Sequence, residues 1–241
     1  MCGRFVNSKA PEELAEIFAA ERLVLATRLG PDYNIAPTKQ VYAVLERPGD
    51  PAERQLRVLN WGLVPSWAKD VSNAAKLTNA RIETAAEKPS FSRAFAARRA
   101  IVPADGYFEW RRQDGGVKQP YYLHRPDDQP LALAALYELW RNPAHENGHP
   151  QAWWWSATIL TTESTGALRD IHDRTPMLVR PDAWDAWLSP GQEKPAGALR
   201  EMLIPSTEEL VARPVSTAVN SVRNNGPHLL EPMVEAAPPL F

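Results

Sequence analysis

The sequence has only one cysteine, so a disulfide framework is excluded. Glycine is scarce as well: 12 glycines stand against 23 prolines, which argues against a flexible low-complexity chain and predicts many fixed turns and short elements. No apolar run approaches the roughly 20 residues that a membrane-spanning helix needs, and no secretory signal is recognisable. These absences predict a cytoplasmic protein without a membrane partner.

A strong overall charge is also missing. The formal net charge of −2 excludes a chain that is basic throughout. Within residues 73–125, however, ten Lys or Arg residues occur with five Asp or Glu residues. This local excess fits either a positively charged binding surface or an ordinary solvated surface of mixed charge.

Motifs for cofactors are absent. The chain has neither a GxGxxG nor a GxxxxGKS/T loop, so no nucleotide phosphate site is predicted. The histidines have no ligand-like spacing with one another or with the cysteine, and we therefore predict no metal and no cofactor. They are His124, His145, His149, His172 and His228.

Hydrophobic patterning favours strands in the middle of the chain and short helices between them. The pattern has no regular βαβ rhythm, and it predicts an α+β fold. We expect one domain over residues 1–241, with a strongly bent, barrel-like, mainly antiparallel β-sheet core and peripheral short helices. Strands are predicted at 41–46, 55–63, 99–110, 118–125, 131–140, 153–162 and 209–216, and helices at 11–20, 90–99, 163–172, 181–188 and 196–203.

The single cysteine directly follows Met1. If Met1 is removed, Cys2 carries a thiol and a free α-amine on adjacent carbons, with reference pKa values of about 8.5 and about 7.7–8.0. Such an aminothiol condenses with an aldehyde to a Schiff base, and the thiol then closes onto the imine carbon as a thiazolidine. Two other interpretations are an N-terminal nucleophile that hydrolyses amides and a small buried hydrophobic residue.

The segment LTNARIET, residues 77–84, places polar side chains at alternating positions. In an extended strand Asn79, Arg81 and Glu83 share one face. The asparagine offers neutral donors and acceptors, and the arginine offers a fork for a phosphate or a carboxylate. The alternative is a surface strand with an ordinary ion pair.

Two further side chains are candidates for proton transfer. Glu109 lies between Phe108 and Trp110, and an aromatic setting raises the pKa of a carboxyl group, which suits a general acid or base. His172 lies among two arginines and two aspartates, and a histidine side chain can shuttle protons near pH 7. The alternatives are a Glu109 that faces water and a His172 with a structural role.

Seven segments, taken together and in order, resemble the SRAP family, the SOS response-associated peptidases. The resemblance runs from residue 1 to about residue 230. The segments are MCGRF, YNIAP, WGLVPSW, NARIET, RAIVPADGYFEW, IHDRTP and PVSTAVNSVRNNG.

The resemblance implies a protein that senses abasic sites in single-stranded DNA. It would cross-link to the ring-opened aldehyde through Cys2, after removal of Met1, as a stable thiazolidine that shields the lesion. A lyase-type activity and an autoproteolytic thiol peptidase activity are also implied. The alternatives are a thiol peptidase that processes its own N-terminus and a DNA-binding adaptor that forms no covalent bond. We expect a nucleoid-associated monomer.

The resemblance also implies roles for individual residues. Cys2 would be the nucleophile, and Asn79 would orient its amine and the sugar remnant. Glu109 would shuttle protons, and His172 would act as acid or base at the opened sugar. The implied DNA contacts are phosphate-binding arginines, two wall tryptophans and a turn that shapes the groove. The arginines are Arg4, Arg81 and Arg174, and the wall tryptophans are Trp67 and Trp110. The turn contains Asn34 and Pro37.

Overall fold

The computed structural model describes residues 2–49, 51–116, 118–190, 194–206 and 210–233. The strands in these ranges are β1 Phe5–Asn7, β2 Arg22–Val24, β3 Asp32–Ile35, β4 Gln40–Arg47, β5 Glu53–Trp61, β6 Asn79–Arg81, β7 Arg99–Ala104, β8 Gly106–Arg112, β9 Lys118–His124, β10 Leu131–Arg141, β11 Trp153–Glu163, β12 Arg174–Val179, β13 Leu203–Pro205 and β14 Val211–Pro214. The α-helices there are α1 Pro11–Ile17, α2 Ile82–Ala85, α3 Ser92–Ala97, α4 Trp184–Leu188 and α5 Ala196–Glu201.

The larger of two sheets closes on itself. Its order is β13-β12-β10-β7-β4-β5-β11-β6, with β2 added beside β5. Strand β11 pairs in parallel with β5 and antiparallel with β10, so β10, β7, β4, β5 and β11 form a closed ring. Closure removes the free edges of these strands. The prediction of a barrel-like, mainly antiparallel core within an α+β fold is confirmed.

The second sheet packs across one side of the ring in the order β14-β9-β8-β1-β3. Side chains along the ring strands alternate between two hydrophobic clusters with a period of two, as β10 illustrates. Leu133 and Ala135 belong to one cluster, and Ala134 between them belongs to the other. The cluster of Leu133 also contains Phe5 and Trp61, whose rings meet edge to face with centroids 4.9 Å apart. The start of the chain is thereby packed into the core.

Residues 99–110 differ from the prediction of one strand. The chain forms β7 in the closed sheet and then β8 in the second sheet, and Asp105 lies between them. Gly106 permits the change of sheet, because a Cβ there would lie 2.5 Å from the carbonyl oxygen of Leu123 and 2.6 Å from the ring of Tyr122. Glu109 therefore belongs to the second sheet.

The prediction for residues 77–84 is wrong at its end. Strand β6 stops at Arg81, and α2 begins at Ile82, so Glu83 leaves the face that Asn79 and Arg81 define. The predicted helix at 163–172 is a short 3₁₀ helix over Gly166–Asp170. No helix in the described ranges has the length and apolar character to cross a membrane.

Arg99 joins the helices to the closed sheet. Its side chain is 2% exposed, and its Nε donates to the carbonyl oxygen of Trp187 at 2.7 Å. Its two terminal nitrogens donate to the carbonyl oxygens of Ala96 at 2.5 Å and Ser189 at 2.7 Å. These carbonyls lie at the ends of α3 and α4, where helix carbonyls lack partners within the helix.

We expect Arg99→Met to lower the free energy of unfolding by about 3 kcal/mol, because one buried and two partly buried carbonyls lose a charged donor. Urea denaturation measures this change. Arg22→Met is the control, because the side chain of Arg22 forms an exposed ion pair, 3.5 Å from Glu53, and its loss should change stability by less than about 1 kcal/mol. Equal effects of the two substitutions would contradict the role of Arg99.

Candidate functional site

The amino-terminal segment runs beside β8 as an inner strand. Phe5 pairs with Tyr107, and the backbone N–H of Phe108 donates to the carbonyl oxygen of Arg4 at 2.8 Å. Antiparallel register carries the preceding residues toward Glu109. Cys2 is fully buried there.

Asn79 fixes the backbone of Cys2 from the closed sheet. Its Nδ2 donates to the carbonyl oxygen of Cys2 at 2.9 Å. Asn79 holds its position because β6 pairs in parallel with β11, where it lies opposite Ile159. The bond joins residues that are far apart in sequence and links the two sheets at the cysteine.

Glu109 is 4% exposed, so the alternative in which it faces water is wrong. Strand β8 is buried on both faces around it, and the rule of alternating exposure therefore fails. Burial raises the pKa of the Glu109 carboxyl to about 8, and the positive charge of the α-amino terminus opposes this shift. Both protonation states are accessible near neutral pH, as proton transfer requires.

The pKa of the Cys2 thiol is also raised. Burial contributes most, and the negative charge of Glu109 adds to it. A thiol in this setting holds its proton at neutral pH and gives it up as a bond forms at sulfur.

His172 lies beside Glu109, with Nε2 of the ring 3.9 Å from Oε2 of the carboxyl. Its Nδ1 accepts the backbone N–H of Arg174 at 3.0 Å, which places the proton of the neutral ring on Nε2, toward Glu109. Asp173 approaches Nδ1 at 3.0 Å and favours the protonated ring. Burial nevertheless outweighs Asp173 and, together with the α-amino charge, lowers the pKa of His172.

A cleft of about 470 Å³ opens at this pair. It is lined by the cationic side chains of Arg4, Arg112 and Lys118 and by the titratable side chains of His172 and Glu109. The indole of Trp110 and the amide of Asn220 complete the lining. The cleft is therefore basic, with a buried carboxyl at its inner end.

One wall of the cleft is the segment around the 3₁₀ helix Thr217–Asn220, and Asn34 fixes it. The fully buried Asn34 donates through Nδ2 to the carbonyl oxygens of Val219, Ser221 and Asn224 at 3.2, 3.0 and 2.9 Å. Its Oδ1 accepts from Arg4 at 2.7 Å. Asn34 thus holds the wall in position but does not itself line the cleft.

Arg4 and Trp110 complete that wall. The guanidinium of Arg4 lies over the indole of Trp110, 5.5 Å from its centroid, and also donates to the carbonyl oxygen of Val219 at 2.9 Å. The Nε1 of Trp110 donates to Oδ1 of Asn220 at 2.6 Å. Arg4 is therefore tied to groups of the protein.

The structure brings Cys2, Asn79, Glu109 and His172 together, as one site. The residues predicted to contact DNA differ in where they lie and in what they contact. Arg174 is 8% exposed, and its two terminal nitrogens each lie 2.9 Å from a carboxylate oxygen of Glu83. Its predicted phosphate contact would have to compete with this bidentate ion pair.

Three other predicted DNA contacts lie outside the cleft. Trp67 is 65% exposed and lines a separate hollow that includes Pro65 and Lys69. Arg81 is exposed at the end of β6. Pro37 follows β3 in a turn and is partly exposed.

Sequence reasoning missed three cleft residues and one buried support. Arg112, Lys118 and Asn220 line the cleft. Tyr107, beneath the site, has its hydroxyl 3.0 Å from the hydroxyls of Thr175 and Ser206. The signal for Arg112 and Lys118 was the hairpin turn between them, which sets them opposite each other.

The family model described as "SOS response associated peptidase (SRAP)" matches residues 1–222. The chain belongs to the SRAP family. An SRAP relative in Bacillus subtilis (strain 168), the abasic site processing protein YoaM, is 36% identical over 232 residues, covering 96% of this chain and 98% of its own. The abasic site processing protein YedK of Escherichia coli (strain K12) is 32% identical over 240 residues, covering 97% and 100%.

Solved structures share the SRAP chain's fold. A protein of Bacteroides thetaiotaomicron superimposes with a TM-score of 0.80 at 24% identity, covering 97% of this chain and all of its own. A protein of Bordetella bronchiseptica gives a TM-score of 0.72 at 28% identity, covering 89% of this chain and 100% of its own.

The raised pKa of Glu109 gives the SRAP chain a defined dependence of stability on pH. Folding raises this pKa from 4.5 to about 8, so the stability that Glu109 confers is complete below pH 4.5 and is lost as pH rises through 8. Glu109→Gln cannot ionise. We expect its stability relative to the parent to rise between pH 5 and 8, by at most about 1.4 kcal/mol per pH unit.

Denaturant titration at pH 5, 6.5 and 8 measures this difference. The control is Glu87→Gln, which makes the same substitution at an exposed position away from the site. A variant that lost stability relative to the parent as pH rises would mean that Glu109 is ionised and stabilised in the folded chain.

Proposed function

We propose that this chain processes abasic sites in DNA and captures the ring-opened sugar of a single strand covalently through Cys2, after removal of Met1. The observation that carries the proposal is the position of Cys2. Its carbonyl is held by Asn79, and its thiol is near enough to Glu109 for the carboxylate charge to raise the thiol pKa, while Glu109 and His172 line a basic cleft. The names of the relatives YoaM and YedK, both abasic site processing proteins, support the same substrate.

The proposed reaction has two stages. The α-amine of Cys2 adds to the aldehyde carbon, and loss of one water leaves an imine. The thiol then adds to the imine carbon: the S–C bond forms, and the thiol proton passes to the imine nitrogen. The product is a thiazolidine whose mass equals protein plus DNA minus one water, and no oxidant or reductant is consumed.

Glu109 is the proton shuttle in this scheme. As an acid it protonates the hydroxyl group that leaves as water, and as a base it accepts the proton that the amine releases. A carboxyl with a pKa of about 8 serves both directions near neutral pH. His172, with its Nε2 toward Glu109, acts on the opened sugar in ring opening, in reversal or in strand cleavage.

An autoproteolytic thiol peptidase is the second candidate, since the family description contains the word peptidase and Cys2 could serve as its nucleophile. A peptidase attacks with a thiolate that a neighbouring base generates. The raised pKa of the Cys2 thiol disfavours the thiolate that a peptidase needs before attack, whereas the imine nitrogen is itself a base that takes the thiol proton as sulfur adds to the imine carbon. The chemistry of the site therefore favours aldehyde capture.

Intact mass measured before and after incubation with a single strand carrying one abasic site tests the proposal. We expect the mass of Met1 to be missing, and then a heat-stable adduct of protein plus DNA minus one water. Cys2→Ser should keep the amine and give an adduct only after borohydride reduction. Retained Met1, or a trimmed chain without adduct, would move the assignment to the peptidase or to a DNA-binding adaptor.

Glu109→Gln should lower the rate of adduct formation about 100-fold, because a positioned acid–base group contributes roughly 10²–10⁴ to a rate. Single-turnover kinetics at saturating DNA measures the rate, and Glu87→Gln is the control at an exposed position. A Glu109→Gln rate equal to the parent rate would remove Glu109 from the mechanism.

A further inference from the structure

Two cations of the cleft, Arg112 and Lys118, have no role in the reaction described above. Arg112 ends β8, Lys118 begins β9, and both side chains are exposed where they line the cleft with Glu109 and His172. Among the described residues neither forms an ion pair with a carboxylate. Their charges therefore face the space that the DNA strand would occupy.

The register of the hairpin sets these two charges against each other. Arg112 and Lys118 are directly opposed partners in the antiparallel ladder of β8 and β9. Side chains at opposed positions have Cβ atoms roughly 5 Å apart, and like charges there are unfavourable. An anion between them would remove this repulsion, and a phosphate has enough oxygens to accept from both.

Two of the three arginines predicted from sequence bind groups of the protein, and the third, Arg81, is exposed away from the cleft. Arg174 forms a bidentate ion pair with Glu83. Arg4 donates to Asn34 and Val219 and lies over Trp110. Arg112 and Lys118 are the cleft cations without such commitments among the described residues.

We propose that Arg112 and Lys118 together bind one backbone phosphate of the DNA strand, next to the sugar that reaches Cys2. This inference rests on the proposed function and adds a binding subsite to it. The subsite lies on the same cleft as the reacting groups, and the charge of Arg112 already acts on His172, after burial and the α-amino charge, to lower its pKa. The ligand is a phosphodiester, and its contacts carry no base specificity.

The test separates binding from capture. The probe is a fluorescent single strand with a tetrahydrofuran abasic analogue, which has no aldehyde, and anisotropy gives its affinity at several salt concentrations. For the double variant Arg112→Gln/Lys118→Gln we expect about tenfold weaker binding at low salt and a salt slope smaller by about 0.7, the value for one phosphate on a single strand. With an aldehyde-bearing strand, the DNA concentration that gives half the maximal capture rate should rise about tenfold.

Two variants serve as controls. Arg111→Gln removes the exposed cation that precedes Arg112 in β8 and is not among the residues that line the cleft. It should keep the parent slope. The exchange Arg112→Lys/Lys118→Arg keeps both charges and should restore affinity and slope, which shows that the double variant loses charge and not its fold.

The outcomes are distinct. A double variant with the parent slope, or an Arg111→Gln variant that loses as much as the double variant, would overturn the phosphate subsite while the parent still forms its adduct. A parent chain that neither binds the probe nor forms an adduct with the aldehyde-bearing strand would overturn the proposed function itself.

Discussion

The site depends on the amino-terminal segment being held as an inner strand. Backbone pairing with β8 sets its register, the contact between Phe5 and Trp61 packs it into the core, and Asn79 holds the carbonyl of Cys2. Ordering a chain terminus costs conformational entropy, and these contacts offset that cost. These contacts place an otherwise mobile nucleophile beside a buried carboxyl, where burial sets the protonation of both groups.

The fold class was predictable because it follows from local pattern. Alternating apolar residues predicted the long strands, and the absence of a βαβ rhythm indicated a mainly antiparallel, bent sheet. Two details were not predictable from pattern. The change of sheet at Asp105 depends on the close approach of Gly106 to Leu123, and the early end of β6 depends on pairing with β11. Both are contacts between segments distant in sequence.

The candidate site was predictable in part for the same reason. Cys2 was indicated by its position, Asn79 by alternation in its strand, and Glu109 and His172 by their neighbours in sequence. The resemblance to a family pattern then implied their roles. The burial of Glu109 contradicts simple alternation, because β8 has a covered face on each side. The hairpin turn indicated that Arg112 and Lys118 oppose each other, but their place on the cleft and the ion pair of Arg174 with Glu83 could not be predicted, since both depend on which surfaces meet in three dimensions.

The hydrogen bonds of Asn34 to the segment around Val219 bear on when the site forms during folding. Asn34 binds carbonyls up to 190 positions later in the chain, and Arg4 reaches Val219 across 215 positions. Contacts of such long sequence separation form slowly, because loop closure precedes the energy they supply. During synthesis Cys2 is made before β8, which it lies beside, and before Val219, which Arg4 contacts. A growing chain therefore carries an ordinary exposed thiol, and the shielded, pKa-shifted group arises only when folding is complete.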